Sequence, residues 1–575
     1  MKNTLPIKIL ILVFIVNCQL SIVNSQVELN QLGFYDKAPK IAAIIANPDV
    51  KDFSIVTEKG KQVYKGKLSE PVQSKNSSLK ICQADFTKFT KSGKYRLIAG
   101  NQESAVFTIG DNALNDVAKA VIKGYYYQRV SDPLEVKYAG RWARPAGHPD
   151  TIVLIHPSAA SLQRPAGTII SSPRGWYDAG DYNKYIVNSG ITMGTLLSAY
   201  EDFPQYFQKL EINIPETGNG VPDLLNEVLY NLRWMLTMQD PNDGGVYHKC
   251  TNAVFDGFVM PGVTKEPRYV VQKSTAATLD FTAVMAQASR VFAKFPKELP
   301  GLADSCMQAA KQSWNWALQN PNILYNQFAM NKQFEPAVTT GAYGDFRVDD
   351  EWFWAATEMY ATTQDSQYKA KAKEYLNDKW QLPSWNQVYM LGVYTLLRMK
   401  DPEFTSTFTE KLLTMADNYV NSASTNAFGV VKGQDRSDFN WGSNSVAANQ
   451  GVLLIQAYRL TKDRKYLDAA LTNADYLLGR NATGYCFVTG SGTKSVMHPH
   501  HRPSVADGID DPVPGLLSGG PNPGMQDRCK YPFSEPETAY VDVSESYASN
   551  EIAINWNAPA VYLFNAVEAE QASWK

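Results

Sequence analysis

From about Asn112 onward the chain carries one long segment after another in which apolar residues recur every three or four positions. DVAKAVIKGYYYQRV, GVPDLLNEVLYNLRWMLTMQ, STAATLDFTAVMAQASRVFAKF, DEWFWAATEMYATT, NQVYMLGVYTLLRMK, SVAANQGVLLIQAYRLT and KYLDAALTNADYLLG all follow that spacing. Such periodicity lines up one face of a helix, and roughly a dozen helices are expected. Long polar or Gly/Pro-rich stretches separate them, most notably residues 489–545. Loops of that length inside a compact domain usually carry function. The pattern predicts a mainly α fold built of helical hairpins, with a binding surface where the loops gather at one end. No internal repeat marks a solenoid.

Residues 26–110 read differently. KIAAII, DFSIVTEKGKQVYKG, SLKICQADF, SGKYRLIAG and SAVFTIG are short β-rich runs separated by turn signals. Their length and spacing predict a small β-sandwich. Before it, residues 1–25 place Lys2 and Lys8 ahead of an apolar run from Ile9 to Val16, with a small-residue exit at Ser25. That run is too short to span a bilayer and reads as a secretory signal peptide. The expectation is an exported protein, periplasmic or extracellular. Cys18 offers a second reading, lipid anchoring, which Asn17 immediately before it disfavours.

Charge narrows the partners. With 55 Lys and Arg against 57 Asp and Glu, the net charge of −2 gives no electrostatic case for nucleic acid or an anionic membrane. Hydrophobic residues are 44% of the chain, enough for a large core. Of the six cysteines, Cys18, Cys82, Cys250, Cys306, Cys486 and Cys529, five follow the leader. Widely spaced and without CxxC, they form neither a disulfide scaffold nor a zinc finger. The unusual figure is the 31 Tyr and 12 Trp, since rings outside a core can serve as stacking platforms.

Three stretches combine chemistry with those rings. GWYDAGDYNKYIVNSG, residues 175–190, sets Asp178 and Asp181 around Ala-Gly among Trp176, Tyr177, Tyr182 and Tyr185. Taken alone, it could be a turn with aspartates capping amides. FVTGSGTKSVMHPHHRPS, residues 487–504, holds His498, His500 and His501 beside Arg502. Metal ligation, sugar binding by neutral His and Arg, and an inert loop all compete there, and the adjacent Arg502 cation favours sugar. AYVDVSESYASNEIAINWNAP, residues 539–559, carries Glu551 at an expected helix start, flanked by Asp542, Tyr547 and Trp556. Alone, Glu551 would be a dipole-complementing surface acid. Together the segments supply an inverting glycosidase's needs: a carboxylate to activate water, a protonated carboxylic acid for the leaving oxygen, and rings for sugar faces. Neighbouring carboxylates and rings would help the acid keep its proton.

At this point the sequence resembles family 9 of the glycoside hydrolases, inverting β-1,4-glucanases of the cellulase type. YVDVSESYASNEIAINWNA fits the family's Glu-bearing signature, and GTKSVMHPHHR fits its His signature, with only Cys486 off pattern at the left edge. DAGDYNKY resembles the base loop, and GNGVPDLLNE, DGGVYHK, KSTAATLDF and DDEWFWAATE look like further family stretches. VELNQLGFYDKAPK resembles the N-terminal immunoglobulin-like module of one branch. The resemblance implies an (α/α)6-barrel catalytic domain over residues 111–575, with that module over residues 26–110. It also implies Asp181 as general base, Asp178 helping to hold the water, and Glu551 as general acid. His500 and Arg502 would bind sugar around the cleavage point. Tyr547 and Trp556 would lie in the cleft, and Asp542 would tune Glu551. Trp176, Trp352 and Trp354 are candidate sugar platforms.

No cofactor is needed for that chemistry. Members of this branch often hold zinc through two Cys and two His, but here Val130 and Gly147 stand at the Cys positions, with His148 and His156 remaining. The zinc site therefore reads as lost. Calcium, which occurs in the family, would find oxygen ligands near Asp223 and Glu227 or near Asp240 and Asp243. The expected partner is a β-1,4-glucan, bound by a monomer and cut internally. An exo-acting enzyme, with one cleft end closed by a loop within Asp507–Arg528, is the alternative. A glycan-binding protein without catalysis has no use for an acid and a base.

Overall fold

The computed structural model describes residues 27–574. The leader read at residues 1–25, including Cys18, lies outside the described residues. No helix among the described residues is long and apolar enough to cross a membrane.

Ten short strands open the structure: β1 Val27–Glu28, β2 Gly33–Phe34, β3 Ile41–Ile45, β4 Asp52–Thr57, β5 Gln62–Lys67, β6 Val72–Gln73, β7 Lys80–Asp85, β8 Gly93–Ala99, β9 Gln102–Glu103 and β10 Phe107–Ile109. One sheet has the order β1-β3-β7-β6 and the other β2-β10-β8-β4-β5, with β9 paired to β8. Strand alternation builds the core between them. Along β8, Tyr95, Leu97 and Ala99 point inward while the intervening residues do not. The sandwich is tied to the helical part by buried polar contacts. Asn30 donates to Asp475 at 2.8 Å, Gln31 donates to the Gly484 carbonyl at 2.8 Å, and the Tyr35 hydroxyl donates to Glu568 at 2.5 Å.

Twelve helices of nine or more residues follow among the described residues: α1 Asn115–Tyr127, α2 Ile186–Asp202, α3 Asp223–Thr237, α4 Thr275–Phe292, α5 Leu302–Gln319, α6 Asp349–Thr363, α7 Ser366–Glu374, α8 Tyr389–Met399, α9 Thr405–Thr425, α10 Ser443–Thr461, α11 Arg464–Leu477 and α12 Ile554–Ala569. They alternate between an outer and an inner layer. The even-numbered helices are inner: α2 packs on α4, α4 on α6, α6 on α8, α10 on α12, and α12 back on α2. The odd-numbered helices cover them from outside. Burial follows the layer. Residues 186–200 of α2 are all buried, whereas α5 buries a stripe of Cys306, Ala309, Ala310, Ser313, Trp314, Trp316 and Ala317. A helix enclosed on all sides must be apolar or internally paired around its circumference, while a covering helix needs one apolar face. This is the (α/α)6 barrel.

Each end of the inner ring has its own character. At one end, buried charges interlock: Arg290 of α4 bridges Glu201 and Glu358, and Arg398 of α8 bridges Asp202. Arg459 of α10 also reaches Asp202, as does the Tyr562 hydroxyl of α12. At the other end, residues immediately preceding the inner helices gather into the site. A small sheet supports them there, formed by β11 Val153–Ile155, β12 Ile169–Ile170, β13 Lys184–Tyr185, β14 Lys249–Asn252 and β15 Arg268–Val270 in the order β12-β11-β15-β14-β13.

Candidate active site

Asp178 and Asp181 lie in the loop that enters β13 and then α2. Asp178 is 1% exposed and accepts the Asn188 amide at 2.8 and 2.9 Å and the Tyr343 hydroxyl at 3.0 Å. Its own carbonyl accepts the Ile554 amide at 2.8 Å, joining the loop to α12. Asp181 accepts the Asn183 amide at 2.5 Å and the Tyr185 hydroxyl at 3.0 Å, both on Oδ2. Burial, then the charge on Asp181, pushes the Asp178 carboxyl up to about 8. When one carboxyl of a close pair holds a proton, the other can keep the negative charge.

Glu551 stands just before α12. It forms a parallel bridge with His500, whose amide donates to the Asn550 carbonyl at 2.9 Å, and the Glu551 carbonyl accepts the Gly519 amide at 2.8 Å. Burial, then Asp181 and Asp178, raises the Glu551 carboxyl well above its ordinary value, against the pull of Arg502 and the Gly180 amide. Its carboxyl is therefore biased toward the protonated form. His500 Nδ1 lies 2.6 Å from the Ser544 carbonyl, which makes Nδ1 the proton-bearing nitrogen. Burial lowers its pKa, so the ring is a neutral hydrogen-bonding group.

The remaining candidates divide. Arg502 Nε and Nη1 donate to the Asp256 and Gly180 carbonyls at 2.8 and 2.7 Å, so the guanidinium clamps the base loop. Phe255 and Phe258 lie beneath that guanidinium. Tyr547 is 36% exposed beside His500, with ring centroids 6.0 Å apart. Trp556 is half-buried behind the turn at Gly442. Asp542 does not face the cleft with a free carboxylate. Its oxygens accept the Met497 and His498 amides, both at 2.8 Å, and the Asn550 side chain at 2.9 Å. His498 is exposed, and His501 is buried against Gln128 at 2.9 Å. The three tryptophans proposed as platforms are corrected by burial: Trp176 is 1%, Trp352 2% and Trp354 0% exposed. Trp176 packs on Tyr125, Trp352 packs outward on Trp314 and Tyr375, and Trp354 points inward against Gly194. An aromatic residue beside a catalytic motif and one in a helix core look alike in sequence.

Residues passed over in the sequence complete the site. Tyr343 packs between Tyr185 and Trp385, with centroids at 4.8 and 5.4 Å, immediately ahead of α6 and α8. Trp441, 44% exposed and ahead of α10, lies 5.5 Å from Tyr547. Phe258, 41% exposed, meets His500 edge-on at 5.3 Å. Only their shared position before an inner helix or in a connecting loop links them, a signal that emerges once the ring of helices is known.

Neither calcium location proposed from sequence fits the ion. Glu227 is paired with Arg129 at 2.9 Å, and Asp223 is used by the Ile212 amide and the Thr217 hydroxyl. Asp240 and Asp243 both hold the Lys273 ammonium, at 2.8 and 2.7 Å. At the zinc positions, His148 bonds the Tyr177 hydroxyl at 2.8 Å and His156 contacts Ser158 and the Pro336 carbonyl. Val130, Tyr177 and Tyr182 form an apolar cluster beside His148 where thiolates would be needed. Among the described residues, no three His, Cys, Asp or Glu side chains converge to hold a metal ion. The five cysteines after the leader are all free.

A barrel of this kind with paired buried aspartates opposite a protonated glutamate defines a glycoside hydrolase. The family model described as "Glycosyl hydrolase family 9" matches residues 115–564, and "Cellulase N-terminal ig-like domain" matches residues 23–104. The chain belongs to glycosyl hydrolase family 9, with an immunoglobulin-like N-terminal domain. It is 48% identical to a xyloglucan-specific endo-beta-1,4-glucanase of Bacteroides ovatus, over 95% of this chain and 94% of that protein. It is 33% identical to endoglucanase D of Acetivibrio thermocellus, over 94% of this chain and 83% of that one. A solved Bacteroides ovatus family 9 structure superimposes with a TM-score of 0.91 at 47% identity, covering 95% of this chain and 99% of the other.

Proposed function

We propose that this chain is a secreted, inverting endo-β-1,4-glucanase acting on a soluble, branched β-glucan of the xyloglucan type. In this reading Asp181 removes a proton from water while Asp178 helps to hold that water. Glu551 delivers its proton to the departing glycosidic oxygen, and Trp441, Tyr547 and Phe258 offer faces to the sugars. Export rests on the leader, and an immunoglobulin-like module over residues 26–110 would brace the catalytic residues 111–575 of a monomer.

The observation that carries the proposal is a cluster of three buried or half-buried carboxyls, two of which, Asp178 and Glu551, are pushed upward by burial and by their neighbours. Burial and the Asp181 charge push Asp178 to about 8, and Glu551 is driven higher than its ordinary value by burial and both aspartates. An inverting hydrolase needs one ionised and one protonated carboxyl at the same pH. Internal cleavage is favoured because the xyloglucan-specific relative and endoglucanase D are both named as endo-acting enzymes. Xyloglucan is favoured because the relative sharing 48% identity is specific for it. Release of short products is the second reading, favoured by a 30% identical cellodextrinase of Butyrivibrio fibrisolvens.

The test is a proton NMR time course on xyloglucan, mixed-linkage β-glucan and carboxymethylcellulose, following anomer and product length. Early α-anomer with long mixed products from xyloglucan is expected. Initial β-anomer would overturn inversion, exclusively short products would overturn internal cleavage, and faster turnover of unbranched chains would overturn the substrate assignment.

A further inference from the structure

A buried lysine stands next to the paired aspartates with no assigned part in the reaction. Lys249 lies on β14, paired directly with Tyr185 of β13, and is 0% exposed. Its ammonium donates to Gln327 Oε1 at 2.7 Å, to the Thr340 hydroxyl at 3.0 Å and to the Gly341 carbonyl at 2.7 Å. A buried ammonium is costly unless its protons are matched, and these three acceptors match them.

Two of those acceptors belong to the segment that reaches the aspartates. The Gly341 amide donates to the Tyr185 hydroxyl at 3.1 Å, and that hydroxyl donates onward to Asp181 at 3.0 Å. Two residues later, Tyr343 donates to Asp178 at 3.0 Å. His248, the neighbour of Lys249, holds the Ala342 carbonyl at 2.9 Å through Nε2. Thus β14 fixes residues 340–342, and that segment aims one phenol at each aspartate.

We propose that Lys249 is a positioning residue for the base: it anchors residues 340–341 so that Tyr185 orients Asp181. The proposal rests on the reading of Asp181 as base.

The experiment compares Lys249→Met, Tyr185→Phe, their double variant and Asp181→Asn on soluble β-glucan. kcat, KM and the melting temperature are read for each. Lys249→Met is expected to lower kcat about 10²-fold with KM nearly unchanged, the scale of a misplaced reacting group. Tyr185→Phe should lower kcat in the same way, and the double variant should lose little more than Lys249→Met alone. An unchanged kcat in Lys249→Met, or a lower melting temperature as its only change, overturns the proposal. Should Lys249→Met fail to fold, Thr340→Val and Tyr185→Phe cut the same chain, and unchanged kcat in both overturns it equally. An inactive Asp181→Asn beside an unchanged Lys249→Met kcat sinks only the lysine. An Asp181→Asn enzyme with near-normal turnover sinks the base assignment itself.

Discussion

Gly180 and His500 touch through their backbones: a Cβ on Gly180 would lie 2.2 Å from the His500 carbonyl oxygen. No side chain fits at that distance. The Gly180 carbonyl accepts both the Arg502 amide, at 3.1 Å, and its guanidinium, at 2.7 Å. The base loop and the histidine segment therefore meet at a glycine, and their separation sets how the aspartates face Glu551.

Gly180→Ala should push the two segments apart. A displacement of about 1 Å at a reacting group costs on the order of 10²-fold in rate. We expect kcat to fall by that order with folded protein retained, checked by turnover on soluble glucan beside the far-UV circular dichroism spectrum. Near-wild-type turnover would show that the contact does not set the site.

The protonation pattern predicts the alkaline side of the pH profile. Glu551 must carry its proton, and its folded value is raised by burial and by both aspartates. Activity should therefore persist well above the ordinary carboxylate range and fall as pH rises through that elevated value. Asp178→Asn removes one repelling charge source, so the alkaline limb should move to lower pH. Glu551→Gln should lose about 10²–10⁴-fold on unactivated polysaccharide. A limb unmoved by Asp178→Asn would break the link between these carboxyls.

Asp542 acts through the backbone. Replacing it with Ala leaves the Met497 and His498 amides and the Asn550 side chain without their shared acceptor. Hydrogen bonds to a charged group contribute roughly 1.5–3 kcal/mol each, partly recovered by water at this half-buried place. The His500 segment should loosen, raising KM about tenfold with a small loss of melting temperature. An unchanged KM would mean that the strand bridge to Glu551 suffices.

The far end of the barrel makes the contrasting prediction. The Asp202 side chain is fully buried between Arg398 and Arg459. Asp202→Asn should cost about 3–5 kcal/mol, as breaking a buried pair does, while KM stays unchanged. Burial tends to raise the Asp202 carboxyl, but Arg398 and Arg459 outweigh it and hold it below its ordinary value. A depressed value means this stabilisation is present above the ordinary carboxylate pKa and is lost as pH falls through the depressed one. Melting curves against pH should show the variant and the wild type converging at low pH.

Much of this was legible in the chain itself. Helical spacing after Asn112 and alternation before it are local consequences of side-chain direction, so helices and strands follow from residue order. DAGD, HPHHR and the NE pair were legible because each packs its chemistry into a few consecutive residues. Local pattern could not tell a ring in the cleft from a ring in the core. Trp176 and Trp354 turn inward, whereas Trp441 and Phe258 face solvent, because inner-helix packing decides which way each residue points. Nor could it reveal that Asp223, Glu227, Asp240 and Asp243 already have partners, or that Lys249 reaches Asp181 through Thr340, Gly341 and Tyr185. Many of those contacts join residues dozens to more than a hundred positions apart. Sequence by itself determined the elements and the family, and singled out the carboxyls proposed to react. The closed ring of helices alone decided their protonation and their supports, because burial and the proximity of charges exist only once distant segments are brought together.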